Sequence, residues 1–389
     1  MEFEYKPEEK KFRDELRRFF EEEPKVKEAR EEVESGKGFG PAMWHVLRKM
    51  GERGWLTPTW PKKYGGLELP DIYRYIVYEE MDYYLGQGNL VAAGMAGPVI
   101  LRHGSEELKE EFLPRIARGE IEFALGYTEP NAGSDLASIE IRAEEKDDCF
   151  IINGQKMFNT ACHYAQYHWL VARTDPKATP RHRGLSYFIV DLSLPGITIR
   201  PLWTMGGLRT NEVFYEDVKV PKKYLVGEKN KGFYYLMESL DHERIYTFRG
   251  LRRFLEAIIE YAKETGRGKD PYIRRRLAEL WTKLEAGSLL TLKIPLVIDQ
   301  GKTPNYEGAV SKIIHSDLYQ EIVDVGIKIT GLYGGLKEDS KWAPLIKKLR
   351  RGGLEGMYRH GPYDIVTRGT PEIMRNIIAM RGLGLPRLY

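Results

Sequence analysis

A chain of 389 residues is longer than most single hydrophobic cores, so two or three domains are the starting expectation. With 42% hydrophobic and 12% aromatic residues it has ample surface to pack, which excludes wholesale disorder. The balance of 60 Lys+Arg against 57 Asp+Glu leaves a net charge of +3, far from the basic excess of a dedicated nucleic-acid binder. Two cysteines, Cys149 and Cys162, cannot build a disulfide framework and fit a reducing, cytoplasmic setting. No apolar run reaches the length expected of a membrane span, and the charged start MEFEYKPEEKKFRDELRRFFEEE lacks the apolar centre of a signal peptide.

Residues 1–120 read as an α-helical domain. Phe12, Leu16, Phe19 and Phe20 form an i, i+4, i+7, i+8 stripe among charges. A second amphipathic helix in GFGPAMWHVLRKMGERG opens at Pro41 and is closed by Gly54, and DIYRYIVYEEMDYYLG and SEELKEEFLPRIARG continue the pattern. Between them GWLTPTWPKKYGGLELP is a loop. From residue 121 to 231 the texture changes to short β-rich runs: FALGYTEP, CFIINGQKMFNT, YHWLVARTD, GLSYFIVDL, GITIRPLW and NEVFYEDVKVP. Turn residues separate them, which predicts a small sandwich or barrel. Helical periodicity returns over 232–389, in GFYYLMESLDHERIYTFRGLRRFLEAIIEYAKETG, PYIRRRLAELWTKLEAGSLLTLK, NYEGAVSKIIHSDLYQEIVDVGIKITG and PEIMRNIIAMRG, enough for a four-helix bundle. The fold class is therefore α+β, ordered helical, β, helical.

Several chemistries lack their residues. There is no P-loop, GLYGGL at 331–336 follows a helix rather than a strand and is no dinucleotide fingerprint, and no spaced His/Cys set suits zinc. Three stretches remain. In GYTEPNAGSD, residues 126–135, small residues and the hydroxyls of Thr128 and Ser134 suit a planar ring or a phosphate, although an ordinary hairpin loop reads the same. In GQKMFNTACHYA a strand through Phe158 and Thr160 presents both on one face, as any half-buried strand would. In LDHERIYTFRG a continuous helix aligns Asp241, Arg244 and Phe248, with Glu243 and Thr247 beside them; a solvated helix face has the same pattern. At the far end, IVTRGTPEIMRN reads as a loop entering a helix, with Thr370 as N-cap, Pro371 at the first position and the cation of Arg368 just ahead of it.

Taken together and in this order, TEPNAGSD, NGQK, NEVFYEDVKVP, LDHER and GTPEIMRNIIAMRGLGLPR resemble the acyl-CoA dehydrogenase family of flavoproteins over essentially the whole chain. The resemblance implies FAD, oxidation of an acyl-CoA thioester to the 2-enoyl-CoA, and electrons passed to an electron-transferring flavoprotein. It implies that Leu125, Tyr127, Thr128 and Gly133 line the flavin, with Phe158 in place of the usual tryptophan and Thr160 as the hydroxyl near its N5. Ser134 would touch FAD or the CoA chain, and Asp241 and Arg244 would lie along the pantetheine. The catalytic glutamate that commonly precedes the last Gly-Thr is here Arg368, which stays protonated and cannot act as a base. Relatives resembling isovaleryl-CoA dehydrogenase carry the base in an LD-x-ER context, which implies Glu243, leaving Arg368 and Gly369 as substrate contacts. Arg267 stands in for a more extended Arg-x-x-Phe-Gly motif. Gly331, beside a Lys328 where glutamine is frequent, together with Thr370 and Glu372, would approach FAD across subunits, in a homo-oligomer, most often a tetramer. The alternatives are a subunit that needs a partner chain to complete its site, or a flavin oxidase on the same fold.

Overall fold

The computed structural model describes residues 4–243, 245–302, 304–344, 346 and 352–386, and for 241–243 the backbone alone. Six helices open the chain: α1 (Pro7–Glu22), α2 (Val26–Glu34), α3 (Pro41–Gly51), α4 (Asp71–Leu85), α5 (Gly97–His103) and α6 (Glu106–Ala117). A π-helical turn over Ala92–Ala96 leads into α5. The stripe read from the sequence buries Phe12, Leu16 and Phe20, with Phe19 packed at its edge. α4 is buried nearly all round, carboxylates included. Glu80, fully buried, receives Arg13 Nε at 2.6 Å, Arg17 at 3.1 Å and Arg249 at 3.4 Å. Burial alone would raise its carboxyl, but the three guanidinium groups outweigh that and hold it below the usual range.

Eight strands follow: β1 (Phe123–Gly126), β2 (Arg142–Glu145), β3 (Cys149–Lys156), β4 (Tyr167–Arg173), β5 (Leu185–Asp191), β6 (Ile197–Trp203), β7 (Arg209–Pro221) and β8 (Leu225–Val226). They form one hydrogen-bonded sheet in the order β6-β7-β3-β2-β4-β5-β8. The outer edge of β4 is shared: β1 runs parallel to Tyr167–Leu170, and β2 meets it only at Arg173. The loop from β1 to β2, which holds TEPNAGSD, therefore crosses the split. β4 and β5 are buried along almost their whole length, one face under helices, which explains their uninterrupted apolar runs.

Among the described residues six helices follow the sheet: α7 (Gly232–Glu243), α8 (Arg249–Glu264), α9 (Pro271–Asp299), α10 (Glu307–Thr330), α11 (Gly353–Val366) and α12 (Pro371–Ile377). α8 to α11 share a core of their own, with Leu255, Ile258, Leu280, Leu284, Ile322 and Met357 at its centre. Two aspartates bind the halves of the molecule. Asp299, ending α9, accepts from Asp71 N at 2.6 Å and Ile72 N at 3.2 Å at the start of α4. Asp82, on α4, accepts from Gly250 N at 2.7 Å in the first turn of α8. Each carboxylate faces the positive end of the helix it caps.

Glu122, just before β1, is buried and accepts from Ala92 N at 2.5 Å and Phe123 N at 2.8 Å through one oxygen. Burial pushes its carboxyl up to about 7, against the lowering effect of those two amides. The folded chain thus holds a proton between pH 4.5 and 7 that the unfolded chain releases, so this stability is complete below 4.5 and lost as pH rises through about 7. Glu122→Gln keeps an oxygen for both amides. At pH 8 it is expected to gain about 3 kcal/mol over the wild type, shrinking to nothing below pH 4.5, as read from denaturation midpoints at several pH values.

Candidate active site

The loop 127–141 is built around one buried ion pair. Lys156 Nζ, at the end of β3, donates to Glu129 Oε1 at 2.9 Å and to the Tyr127 carbonyl at 2.8 Å. Glu129 also accepts from Glu140 N at 2.7 Å and Ile141 N at 3.1 Å, and its backbone pairs with Ala132 to close a tight turn over Pro130 and Asn131. The loop's ends are thereby pinned while Gly133 and Ser134 stand exposed, and a Cβ at Gly133 would meet nothing within 4 Å. Leu125 and Thr128 are half-buried. Tyr127 points inward: its hydroxyl meets Ser239 Oγ at 3.0 Å and the Tyr187 hydroxyl, so only its backbone remains for a ligand on the open side.

The strand expected through Phe158 and Thr160 ends two residues earlier, at Lys156. Phe158 is in the left-handed region at φ 58°, and Thr160 lies in the turn that follows. The cause is Asn159. Its amide donates to the Leu125 carbonyl at 2.8 Å, its backbone N–H to Asn211 O at 2.9 Å, and its carbonyl accepts from Asn211 Nδ2 at 2.8 Å, which folds the chain over β7. Phe158 is left 53% exposed, at the same end of the sheet as the exposed Trp203 and Met205, and the buried Asn159 Oδ1 has no hydrogen-bond partner among the described residues. A half-bare aromatic beside an unsatisfied buried acceptor fits a planar, apolar group with hydrogen-bonding edges, as an isoalloxazine ring is.

The helix expected to run through LDHERIYTF does not do so: residues 245–247 are not helical, and Phe248 caps the next helix. The break is imposed by Asp82, whose carboxylate takes Thr247 Oγ1 at 2.7 Å along with Gly250 N. Ile245, Tyr246, Thr247 and Phe248 are all buried. One turn before its end α7 is anchored by Ser239, which also receives Trp169 Nε1 at 3.4 Å. Arg244 and the side chains of Asp241 and Glu243 lie outside the described residues.

The segment 368–372 follows α11. Arg368 and Gly369 are both left-handed, at φ 58° and 93°, and turn the chain so that Thr370 Oγ1 accepts from Ile373 N at 3.4 Å, with Pro371 opening α12 and Glu372 exposed in its first turn. The guanidinium of Arg368 sits 5.1 Å from the Tyr246 ring centroid. Tyr363, one turn earlier, brings its hydroxyl to 3.3 Å from Thr160 Oγ1. The loop after β3 thus meets α11, and the connector after α7 meets the segment that follows α11, although long stretches of chain separate them. Ser239, Tyr246, Tyr363 and Asp364 were not singled out in the sequence, although Asp364 stands at helical spacing from Arg368 and could have been.

Arg267 and Gly331 lie elsewhere. Arg267 is in a short 3-10 turn after α8, and Gly331 opens another after α10, with Lys328 bound to Asp324 Oδ2 at 2.7 Å. α8 alone separates Arg267 from the connector by about 24 Å of helix, so these residues do not join the cluster within one chain.

Three family models match: the acyl-CoA dehydrogenase N-terminal domain over residues 6–120, the middle domain over 124–218 and the C-terminal domain over 230–383. The chain is 32% identical to acyl-CoA dehydrogenase FadE26 of Mycobacterium tuberculosis, across 100% of this chain and 99% of that one. Among solved structures it is similar to the Tcur3481-Tcur3483 steroid ACAD, with a TM-score of 0.90 at 32% identity and 100% of both chains covered. It is also similar to the ChsE4-ChsE5 complex from Mycobacterium tuberculosis, with a TM-score of 0.88 at 31% identity over 100% of both chains. The chain belongs to the acyl-CoA dehydrogenase family, FAD-dependent flavoproteins that act as oxidoreductases.

Proposed function

We propose that this chain oxidises the Cα–Cβ bond of an acyl-CoA thioester, with Glu243 taking the α-proton and the electrons passing on to an electron-transferring flavoprotein. The observation that supports the reading is that the loop after β3 reaches α11 through Thr160 and Tyr363, while the connector after α7 reaches the turn that follows α11 through Tyr246 and Arg368. FAD, when bound, supplies the oxidant that accepts the β-hydrogen as hydride. Leu125, Thr128, Gly133, Phe158 and Thr160, with the backbone of Tyr127, would hold its ring; Ser134, Asp241, Arg244 and Gly369 would lie along the thioester. The α-proton of a thioester is too weakly acidic for a carboxylate unless the growing enolate charge is met, and one well-aimed donor lowers that barrier by about 3–4 kcal/mol. A backbone N–H in the 368–370 turn is this chain's candidate donor, a role that requires no carboxylate at Arg368.

The test is an anaerobic titration in which straight, branched, cyclic and dicarboxylic acyl-CoAs are added while the flavin absorption is followed. A polycyclic acyl-CoA belongs in the panel because one solved relative is described as a steroid ACAD. Bleaching by at least one thioester, and by none of the free acids, is expected. A full complement of FAD that no acyl-CoA bleaches would end the proposal and favour an oxidase acting on another donor.

A second reading, a subunit that needs a different partner chain, draws on the surface around Gly331, where Leu332 is 96% and Tyr333 58% exposed. Both this reading and a homo-oligomer assign Arg267, Gly331, Thr370 and Glu372 to FAD shared between chains. A homotetramer with one FAD per chain favours the first; flavin that is substoichiometric until a second subunit is added favours the other. A cytoplasmic location is part of the same proposal; among the described residues no helix is long and apolar enough to cross a membrane.

A further inference from the structure

Arg368 stands where the family commonly places its base, and its surroundings give its charge another use. A non-glycine residue at φ 58° is strained by about 1 kcal/mol or more, so the turn at Arg368 is maintained by its surroundings rather than by local preference. Three contacts run in series from Arg368. The Arg368 guanidinium lies over Tyr246. The Tyr246 ring meets the His315 ring at 5.2 Å, on α10. His315 Nδ1 lies 3.7 Å from Asp364 Oδ2, on α11. Burial alone would raise the Asp364 carboxyl, but His315, Arg368 and His360 outweigh it and hold it well below the usual range. Lys312 faces the same space and gives its ammonium to the Ile365 carbonyl. The member that matters is Tyr246, because it belongs to the connector that starts just after Glu243.

We propose that Arg368 is a positioning residue: stacked on Tyr246, it fixes the 245–248 connector and thereby the end of α7 that bears Glu243. This rests on the reading of Glu243 as the base. Tyr246 is held from one side by Arg368 and His315, and Thr247 from the other by Asp82. An arginine at the vacated position thus steadies the segment to which proton abstraction has moved.

The test combines kinetics with amide hydrogen exchange on Arg368→Ala, Arg368→Lys, Tyr246→Leu and the Arg368→Ala/Tyr246→Leu pair, each checked for wild-type FAD content. In Arg368→Ala and Tyr246→Leu the limiting rate of flavin reduction is expected to fall roughly 10- to 100-fold with KM little changed, because a misplaced base slows chemistry rather than binding. The double variant is expected to be no slower than the worse single one. Exchange over 245–250 should quicken in both single variants, and Arg368→Lys should recover part of the rate and of the protection. Unchanged exchange over 245–250 in Arg368→Ala, or additive losses in the double variant, would overturn the proposal. So would a change confined to KM, above all for dicarboxylic acyl-CoAs, which would make Arg368 a substrate contact. If Glu243 were not the base, Glu243→Gln would keep its turnover while the exchange result still reported on the clamp, so the two failures are distinguishable.

Discussion

Glu243→Gln is expected to slow flavin reduction by an acyl-CoA about 1,000-fold while leaving FAD content and thermal midpoint close to the wild type. Glutamine matches glutamate in size but cannot accept the α-proton. Its backbone position is secured independently of its side chain: Ser239 ties α7 to Tyr127 and Trp169 one turn earlier, and Asp82 captures Thr247 and Gly250 just beyond. A loss of rate with flavin retained therefore isolates chemistry from folding. Stopped-flow reduction under anaerobic conditions measures it, and normal rates in this variant would remove Glu243 from the mechanism.

Lys156→Met carries the largest expected effect on the fold. At neutral pH Lys156 is still charged, because burial pushes it down only to about 8 while Glu129 opposes the fall. Removing the ammonium leaves the Glu129 carboxylate, 7% exposed, facing a methyl group, and breaking one partner of a buried pair typically costs about 3–5 kcal/mol. Because Glu129 also receives the Glu140 and Ile141 amides, the whole 127–141 loop loses its register. The expected result is a lowered denaturation midpoint and purification with little FAD. The double change Lys156→Met, Glu129→Gln should recover part of the stability, since no unpaired charge stays buried. A variant with the midpoint and flavin content of the wild type would contradict this account of the loop.

What could be read from the sequence was whatever depends on near neighbours. The helix stripes, the β-rich runs and the Thr370 cap with Pro371 behind it all follow from local spacing and reappear in the structure. The misreadings share a cause, which is distance along the chain. LDHERIYTF continues a helical pattern, and the carboxylate that breaks it comes from Asp82 on α4. MFNT continues a strand, and the amide that turns it comes from Asn211. β2 and β8, RAEE and LV, have no strand signature of their own and exist as partners of β3 and β5. The resemblance implied that Tyr127 lines the flavin, yet Ser239 and Tyr187, far away in sequence, draw its hydroxyl inward. At the candidate site, residue types were legible from motifs, whereas the contacts that bring the motifs together were not.

The exchange of aspartate caps between α9 and α4, and between α4 and α8, has an architectural consequence. The stretch that precedes the sheet and the bundle that follows it each finish the other's secondary structure, and Glu80 adds Arg249 to the same seam. A gene cut at residue 120 or 232 would therefore sever helix starts from the groups that complete them. The three modules are separable as words in a sequence, but the first and third are grammatically dependent clauses, and shuffling either into another protein would mean carrying its opposite number along.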